Sequence, residues 1–253
     1  MIPINTLTYI IGYRHSAERL NNLRRTLDWI SGFSGAQIIL VEQDTHSKIS
    51  HLNLRCQHIF VKSKMPYNRS WAFNIGLKYA KSKVVCFGDS DLIMDPNDFI
   101  NGLKLLDQYD MVSPYHSVVD LTPQESNLPL ENIIKVNRPG RGETDNQKIN
   151  ICGGIAMFRK DAITRIGGWS EDFIGWGGED DFQTIKVHNF LTFHEAKARC
   201  FHLHHSRGTI DQNQYGKMLQ MLQKMSTWNK EELAKYINST WPKNGMLNKY
   251  DTY

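Results

Sequence analysis

Three places in the chain concentrate residues that can do chemistry. Asp89-Ser90-Asp91 follows the apolar run Val84 to Phe87. Two carboxylates at this spacing can hold a hard divalent cation and, through it, a diphosphate. The plainer alternative is a strand-end turn. His202, His204 and His205 place three imidazoles within four residues, which does not suit a packed core. His202 and His205 can converge on one ion where the backbone bends, with His204 left to hydrogen-bond. Imidazole with carboxylate suits Mn²⁺, and also Zn²⁺ or Fe²⁺. The third place, Asn150 to Val187, holds seven glycines, two tryptophans and six carboxylates, a mixture that suits a cleft better than a core. Trp176 offers a flat face and one N–H donor, a good surface for a sugar ring. Gly177 and Gly178 allow a tight turn or a close approach to a ligand. Glu179, Asp180 and Asp181 then open a helical pattern that continues in Phe182 and Ile185. Acids there also complement a helix dipole, so periodicity alone leaves both readings open.

The elements that must carry these groups alternate. Leu7 to Ile11 predicts a first strand, and Ser16 caps a helix with Leu20, Leu23, Leu27 and Ile30 on one face. Strands follow at Ala36 to Val41, His58 to Val61 and Val84 to Phe87, with helices from Asn68 to Ala80 and from Pro96. A further strand is expected at Met111 to Pro114. Alternation of this kind implies a mainly parallel sheet with ligands at the carboxyl ends of its strands. Ser117 to Lys148 breaks the pattern; its polar character and its prolines read as a mobile or acceptor-facing loop, with disorder as the alternative. Asn150 to Met157 reads as a strand, Lys160 to Ile166 as a helix, Leu191 to Glu195 as a strand, and the tail from Tyr215 as amphipathic helix whose Met218, Met221, Leu222 and Met225 face a core.

Composition sets bounds. A chain of 253 residues, 40% hydrophobic and 22% charged, can bury a full core. The net charge of +4 is mild and its basic residues are scattered, which gives no argument for nucleic acid. No apolar run reaches membrane-spanning length, and the N-terminus reads as a strand and not as a signal peptide. Cys56, Cys86, Cys152 and Cys200 form no CxxC pair, so reduced thiols in a cytoplasmic protein are expected, with peripheral contact to the inner membrane face compatible.

Trp176-Gly177-Gly178-Glu179-Asp180-Asp181 resembles the WGGEDD motif of the β-1,4-galactosyltransferase family, and Gly153-Gly154 and Gly167-Gly168-Trp169 resemble the glycine pairs upstream of it. Related segments occur in polypeptide N-acetylgalactosaminyltransferases and bacterial chondroitin polymerases. The resemblance continues in order through Tyr13-Arg14, Asn68-Arg69, Asp89-Ser90-Asp91-Leu92 and the HHSR stretch from His204 to Arg207. It implies an α/β GT-A nucleotide-diphospho-sugar transferase fold, with a mainly parallel central sheet flanked by helices. Residues 1–115 would form a UDP-sugar-binding half, and residues 116–253 an acceptor-binding and catalytic half, fused in one domain.

By the same resemblance Asp91, His202 and His205 are ligands of Mn²⁺, or of Mg²⁺ or another divalent ion. His202 stands where the family has Met, which leaves metal preference open. Tyr13, Arg14 and Arg69 face the donor diphosphate, Asp89 the ribose, and Glu42 and Asp44 the end where base and ribose bind. Gly153, Gly154 and Trp176 belong to the donor-sugar site. Asp180 corresponds to the general base, and Glu179, with Asp181 beside it, to the acceptor site. Ile151 stands where a Tyr fits galactose, and its smaller side chain leaves room for an N-acetyl group. The activity implied is metal-dependent, inverting transfer of Gal or GalNAc from a UDP-sugar to a saccharide or glycolipid hydroxyl. A retaining transferase, a metal-dependent phosphoesterase and a non-catalytic sugar-binding module are the rival readings.

Overall fold

The computed structural model describes residues 6–143, 149–206 and 211–250. Its centre is a seven-stranded sheet of order β3-β2-β1-β4-β8-β6-β9. The strands are β1 (Leu7–Tyr13), β2 (Gln37–Asp44), β3 (Gln57–Lys62), β4 (Val84–Gly88), β6 (Met111–Ser113), β8 (Ala156–Arg159) and β9 (Phe193–Glu195). Only β8 runs against its neighbours; the other pairings are parallel. Strands from both sides of Tyr115 therefore share one sheet. A second sheet, β5-β10-β7, joins β5 (Leu92–Met94), β10 (Arg199–His202) and β7 (Ser117–Asp120).

Two apolar layers sandwich the large sheet, and the period of two along β1 assigns each side chain to one of them. Leu7, Tyr9, Ile11 and Tyr13 pack toward α1 (Ala17–Ser31) and α3 (Pro96–Leu105), while Ile10 packs toward α2 (Arg69–Tyr79). Helix α1 starts where the Ser16 hydroxyl accepts from Arg19 N at 3.2 Å. Helix α2 starts where Asn68 Oδ1 accepts from Trp71 N at 2.9 Å. Ser70 to Leu77 of α2 are all buried, because the sheet covers one side and the C-terminal segment the other. Trp71 Nε1 donates to Met246 O at 2.8 Å, and buried Glu171 ties Asn74 Nδ2 at 2.8 Å to Lys249 Nζ at 2.6 Å. A third apolar cluster joins Phe173 and Phe182 to Met218, Met225 and Leu233. It seats α6 (Glu179–Phe190) against α7 (Gln212–Ser226) and α8 (Lys230–Thr240). Lys186 of α6 is buried with its Nζ on the carbonyls of Ile166 and Gly168, and burial pushes its amine down to about 7. Those bonds hold the glycine turn before Trp169 against the helix that carries Asp180.

The segment from Ser117 departs from the loop expectation. Its first four residues are β7, a 3₁₀ turn covers Glu125–Asn127, and α4 (Leu130–Ile133) follows. Val118, Val119, Leu121 and Ile133 are buried in the α1-side core, and apolar burial of this extent holds a segment in place despite its prolines. Residues 144–148 lie outside the described part. Asn150 to Ile155 is a turn and not a strand; β8 begins at Ala156, after the glycine pair has reversed the chain. α5 (Lys160–Arg165) follows it directly. All four cysteines are free, and no helix among the described residues is long and apolar enough to cross a membrane.

Candidate active site

The parallel strands β1, β2 and β4 deliver Arg14, Asp44 and Asp89 to one edge of the sheet. Because β8 runs the other way, Gly153 and Gly154, which precede it, reach that same edge. The smaller sheet extends the edge. Its register sets His202 beside Leu92, one residue after Asp91, and Leu203 N donates to Asp91 O at 2.8 Å. Asp91, His202 and His205 each offer one ligand atom, all within 4.8 Å of one another. His205 Nε2 lies 3.2 Å from Asp91 Oδ2 and His202 Nε2 lies 3.9 Å from Asp91 Oδ1. The Nδ1 atoms face away, to Ser206 O at 2.8 Å and Asp120 Oδ1 at 2.9 Å. Burial pushes the Asp91 carboxyl up, but the two imidazoles outweigh it and hold the group below its usual range. Hydrogen bonding to Asp91 raises His205 in turn. One carboxylate and two imidazole nitrogens aimed at a common point fit a borderline divalent cation. His204 is not part of the group: its N–H bonds Ser126 Oγ at 2.7 Å and its carbonyl accepts from Asn22. Arg207 lies outside the described residues.

Arg69 links this group to the acidic start of α6. Its Nε donates to Asp89 Oδ1 at 2.7 Å, its Nη1 bonds Asp180 Oδ1, Glu179 Oε1 lies 4.0 Å away, and Nη2 reaches Gly154 O at 3.3 Å. The guanidinium also sits over the rings of Phe73 and Trp169, at 4.6 and 5.4 Å from their centroids. One buried cation thus holds three carboxylates in one cluster. Burial pushes the Asp89, Glu179 and Asp180 carboxyls upward, most strongly Asp180, against the opposing pull of Arg69. Asp180 Oδ2 faces Gly153, where a Cβ would stand 3.5 Å from it. Asp181 turns to the other side of α6, where its Oδ1 accepts from Asn150 Nδ2 at 3.0 Å.

Two glycines are required by the shape of this cleft. Gly154 has φ +66°, and a Cβ there would stand 2.2 Å from the Tyr115 hydroxyl. That hydroxyl donates to Gly153 O at 2.6 Å and accepts from Ile155 N at 3.1 Å, so Tyr115 shapes the glycine turn. Gly178 begins α6 with φ +91°, which brings Glu179 and Asp180 round toward Arg69. Trp176, 60% exposed, leans on Tyr215 with ring centroids 5.3 Å apart and presents a bare face.

Two of the residues read as donor contacts lie elsewhere. Tyr13 is a core side chain, since it shares the face of Tyr9 and Ile11; its hydroxyl meets His15 Nδ1 at 3.2 Å. Glu42 is fully buried and accepts from Ser47 Oγ at 2.6 Å, Lys48 N at 2.8 Å and His58 Nε2 at 2.9 Å. It shapes the turn after β2. Arg14 stands at the cleft edge with Nε and Nη2 on the carbonyls of Gln43 and Met65, at 3.0 and 2.8 Å. Asp44 keeps its place at the end of β2, accepting from Thr45 N at 2.7 Å. Ile151 is buried in the α2-side core beneath the glycine pair. The sequence reading missed Asp120, Arg141 and Tyr115. Asp120 closes the apolar pair Val118-Val119 just as Asp89 follows β4, and that pattern was the available signal.

The mixed sheet, with a carboxylate–imidazole group and a glycine-bordered acidic helix at one edge, has the fold of the GT-A glycosyltransferases. The sequence model described as glycosyl transferase family 2 matches residues 35–167, 133 of the 253 residues, and the chain belongs to that family. A second model, described as the N-terminal domain of galactosyltransferase, matches residues 143–206, which marks the chain as galactosyltransferase-like. The fold is shared with the catalytic domain of Drosophila β1,4-galactosyltransferase 7 in complex with xylobiose (TM-score 0.51, 15% identity, 88% of this chain and 81% of that one). It is shared too with GalNAc-T7 bound to UDP, GalNAc and Mn²⁺ (0.59, 14%, 92% and 54%), and with S. aureus TarS 1–349 in complex with UDP-GlcNAc (0.56, 13%, 94% and 73%).

Proposed function

We propose that the chain moves a hexose, Gal or GalNAc, from a UDP-sugar to a saccharide or glycolipid hydroxyl, with inversion at the anomeric carbon. The observation that carries this reading is Arg69, which bonds both Asp89, two residues from Asp91, and Asp180. A cation-binding group and a candidate base therefore share one cleft. Asp91, His202 and His205 would hold Mn²⁺ or a similar ion, which when bound supplies charge neutralisation for a departing diphosphate. Arg69 and Arg14 add fixed positive charge along the edge where that diphosphate would lie. Asp89 and Asp44 serve the ribose end. Trp176 and the Gly153-Gly154 turn enclose the sugar, and Ile151 leaves space beneath it for an N-acetyl group. Asp180 Oδ2 takes the proton of the acceptor hydroxyl as that oxygen attacks, and Glu179 orients the acceptor. Residues 1–115 supply most of the nucleotide edge, and residues 116–253 supply the acceptor side together with His202, His205 and the donor-sugar turn. The free cysteines support the cytoplasm as the place of work.

NMR of the product formed from an α-linked UDP-sugar tests the stereochemistry. A β-linked product is expected, because an aspartate base on the acceptor side accomplishes one displacement. An α-linked product would move the chain to a retaining mechanism and remove that role from Asp180.

A further inference from the structure

We propose that Asp120 is a positioning residue of the cation site, fixing which nitrogen of His202 is offered to the ion. The inference rests on the reading of Asp91, His202 and His205 as ligands. The three-stranded sheet aligns the participants: Asp120 of β7 stands opposite His202 of β10, and His202 stands opposite Leu92 of β5. Asp120 Oδ1 lies 2.9 Å from His202 Nδ1, while His202 Nε2 faces Asp91. An ionised carboxylate only accepts hydrogen bonds, so Nδ1 carries the proton and Nε2 is left with its lone pair directed at the site. A thioether in this position has no proton to orient. An imidazole does, and a carboxylate on the far nitrogen also raises the basicity of the ligating one.

Asp120 is itself held. Arg141 Nε lies 2.9 Å from its Oδ2 and Arg141 Nη2 lies 3.0 Å from its Oδ1, a two-pronged pairing that orients the carboxylate although both side chains are partly exposed. Arg141 is stationed by paired backbone bonds with Val118, N to O at 2.8 Å and O to N at 2.9 Å. Arg138 donates to the Asp120 carbonyl. Arg141 and Asp120, which reach His202, thus come from the segment that the sequence presents as an irregular loop.

The test is Mn²⁺ titration of the full chain, stripped with EDTA, by calorimetry, for the wild type, Asp120→Asn, His202→Ala and the double variant. An Asn side chain can turn its N–H₂ toward Nδ1 and favour the wrong tautomer. Asp120→Asn should weaken Mn²⁺ binding about 10- to 100-fold. The double variant should bind no more weakly than His202→Ala alone, because Asp120 acts through His202. The ¹⁵N spectrum of the wild-type ring, at about pH 9 where a free imidazole is neutral, should show the proton on Nδ1. Unchanged affinity in Asp120→Asn, a further loss in the double variant, or a proton on Nε2 would each overturn the proposal while leaving the cation site standing. Full Mn²⁺ affinity in His202→Ala, or none in the wild type, would overturn the ligand assignment beneath it.

Discussion

Asp180→Asn is expected to lower turnover by roughly 100-fold or more while UDP binding stays near the wild-type value. The size follows from the role: general base catalysis is worth about two to four orders of magnitude, and an amide cannot take a proton. The selectivity follows from the geometry. Asn keeps the shape of the side chain and its oxygen can still accept from Arg69, which also retains Asp89. The donor edge therefore stays assembled, and the loss should fall on kcat. The pH profile supplies a second readout. Burial, with Glu179 and Asp89 nearby, raises the Asp180 carboxyl, while Arg69 opposes the rise. Only the ionised form serves as base, so the wild-type rate should climb with pH through that raised value and then level, its acid limb lying above the usual carboxylate range. The limb should vanish in the Asn variant. Equal turnover in Asp180→Asn would sink the assignment.

The second large effect is expected at the cation group. Asp91→Ala and His205→Ala should each weaken Mn²⁺-dependent UDP binding by at least about 100-fold, more than the 10- to 100-fold typical of residues that only orient a ligand. Binding measured in EDTA should hardly change. Asp91 is buried, and its loss leaves two imidazoles without their shared carboxylate, so thermal unfolding must accompany that variant. His205, in the coil that follows β10 and on one carboxylate, is the gentler probe. Calorimetry of UDP with and without Mn²⁺ checks both; Mn²⁺-dependent affinity unchanged in the two variants would remove the site.

The elements longest in sequence were the most legible. The apolar runs of β1, β2 and β4 and the cap Ser16 gave their elements directly, because strands and helix starts of that kind are written locally. β5, β7 and β10 were not legible. Their pairing joins parts of the chain as far apart as Leu92 and His202, 110 positions, and no local pattern announces it. For the same reason the spacing of His202 and His205 announced a metal site, whereas the carboxylate behind His202 stayed hidden. Arg69 and Asp180, 111 positions apart, could be named singly but not as a pair. Tyr13 and Glu42 show the opposite error. Their chain positions, at strand ends, were right, but the side of the sheet on which each side chain falls is set by strand alternation and by the partners packed there. Tyr13 lies with Tyr9 and Ile11, and Glu42 is drawn to Ser47, Lys48 and His58.

The most direct measurement is UDP release from a panel of UDP-sugars, with Mn²⁺ and with EDTA, in the presence and absence of simple saccharide acceptors. Release from UDP-Gal or UDP-GalNAc that requires Mn²⁺ and rises when an acceptor is added is expected. Release from no donor, with no Mn²⁺-dependent UDP binding in the same samples, would contradict it.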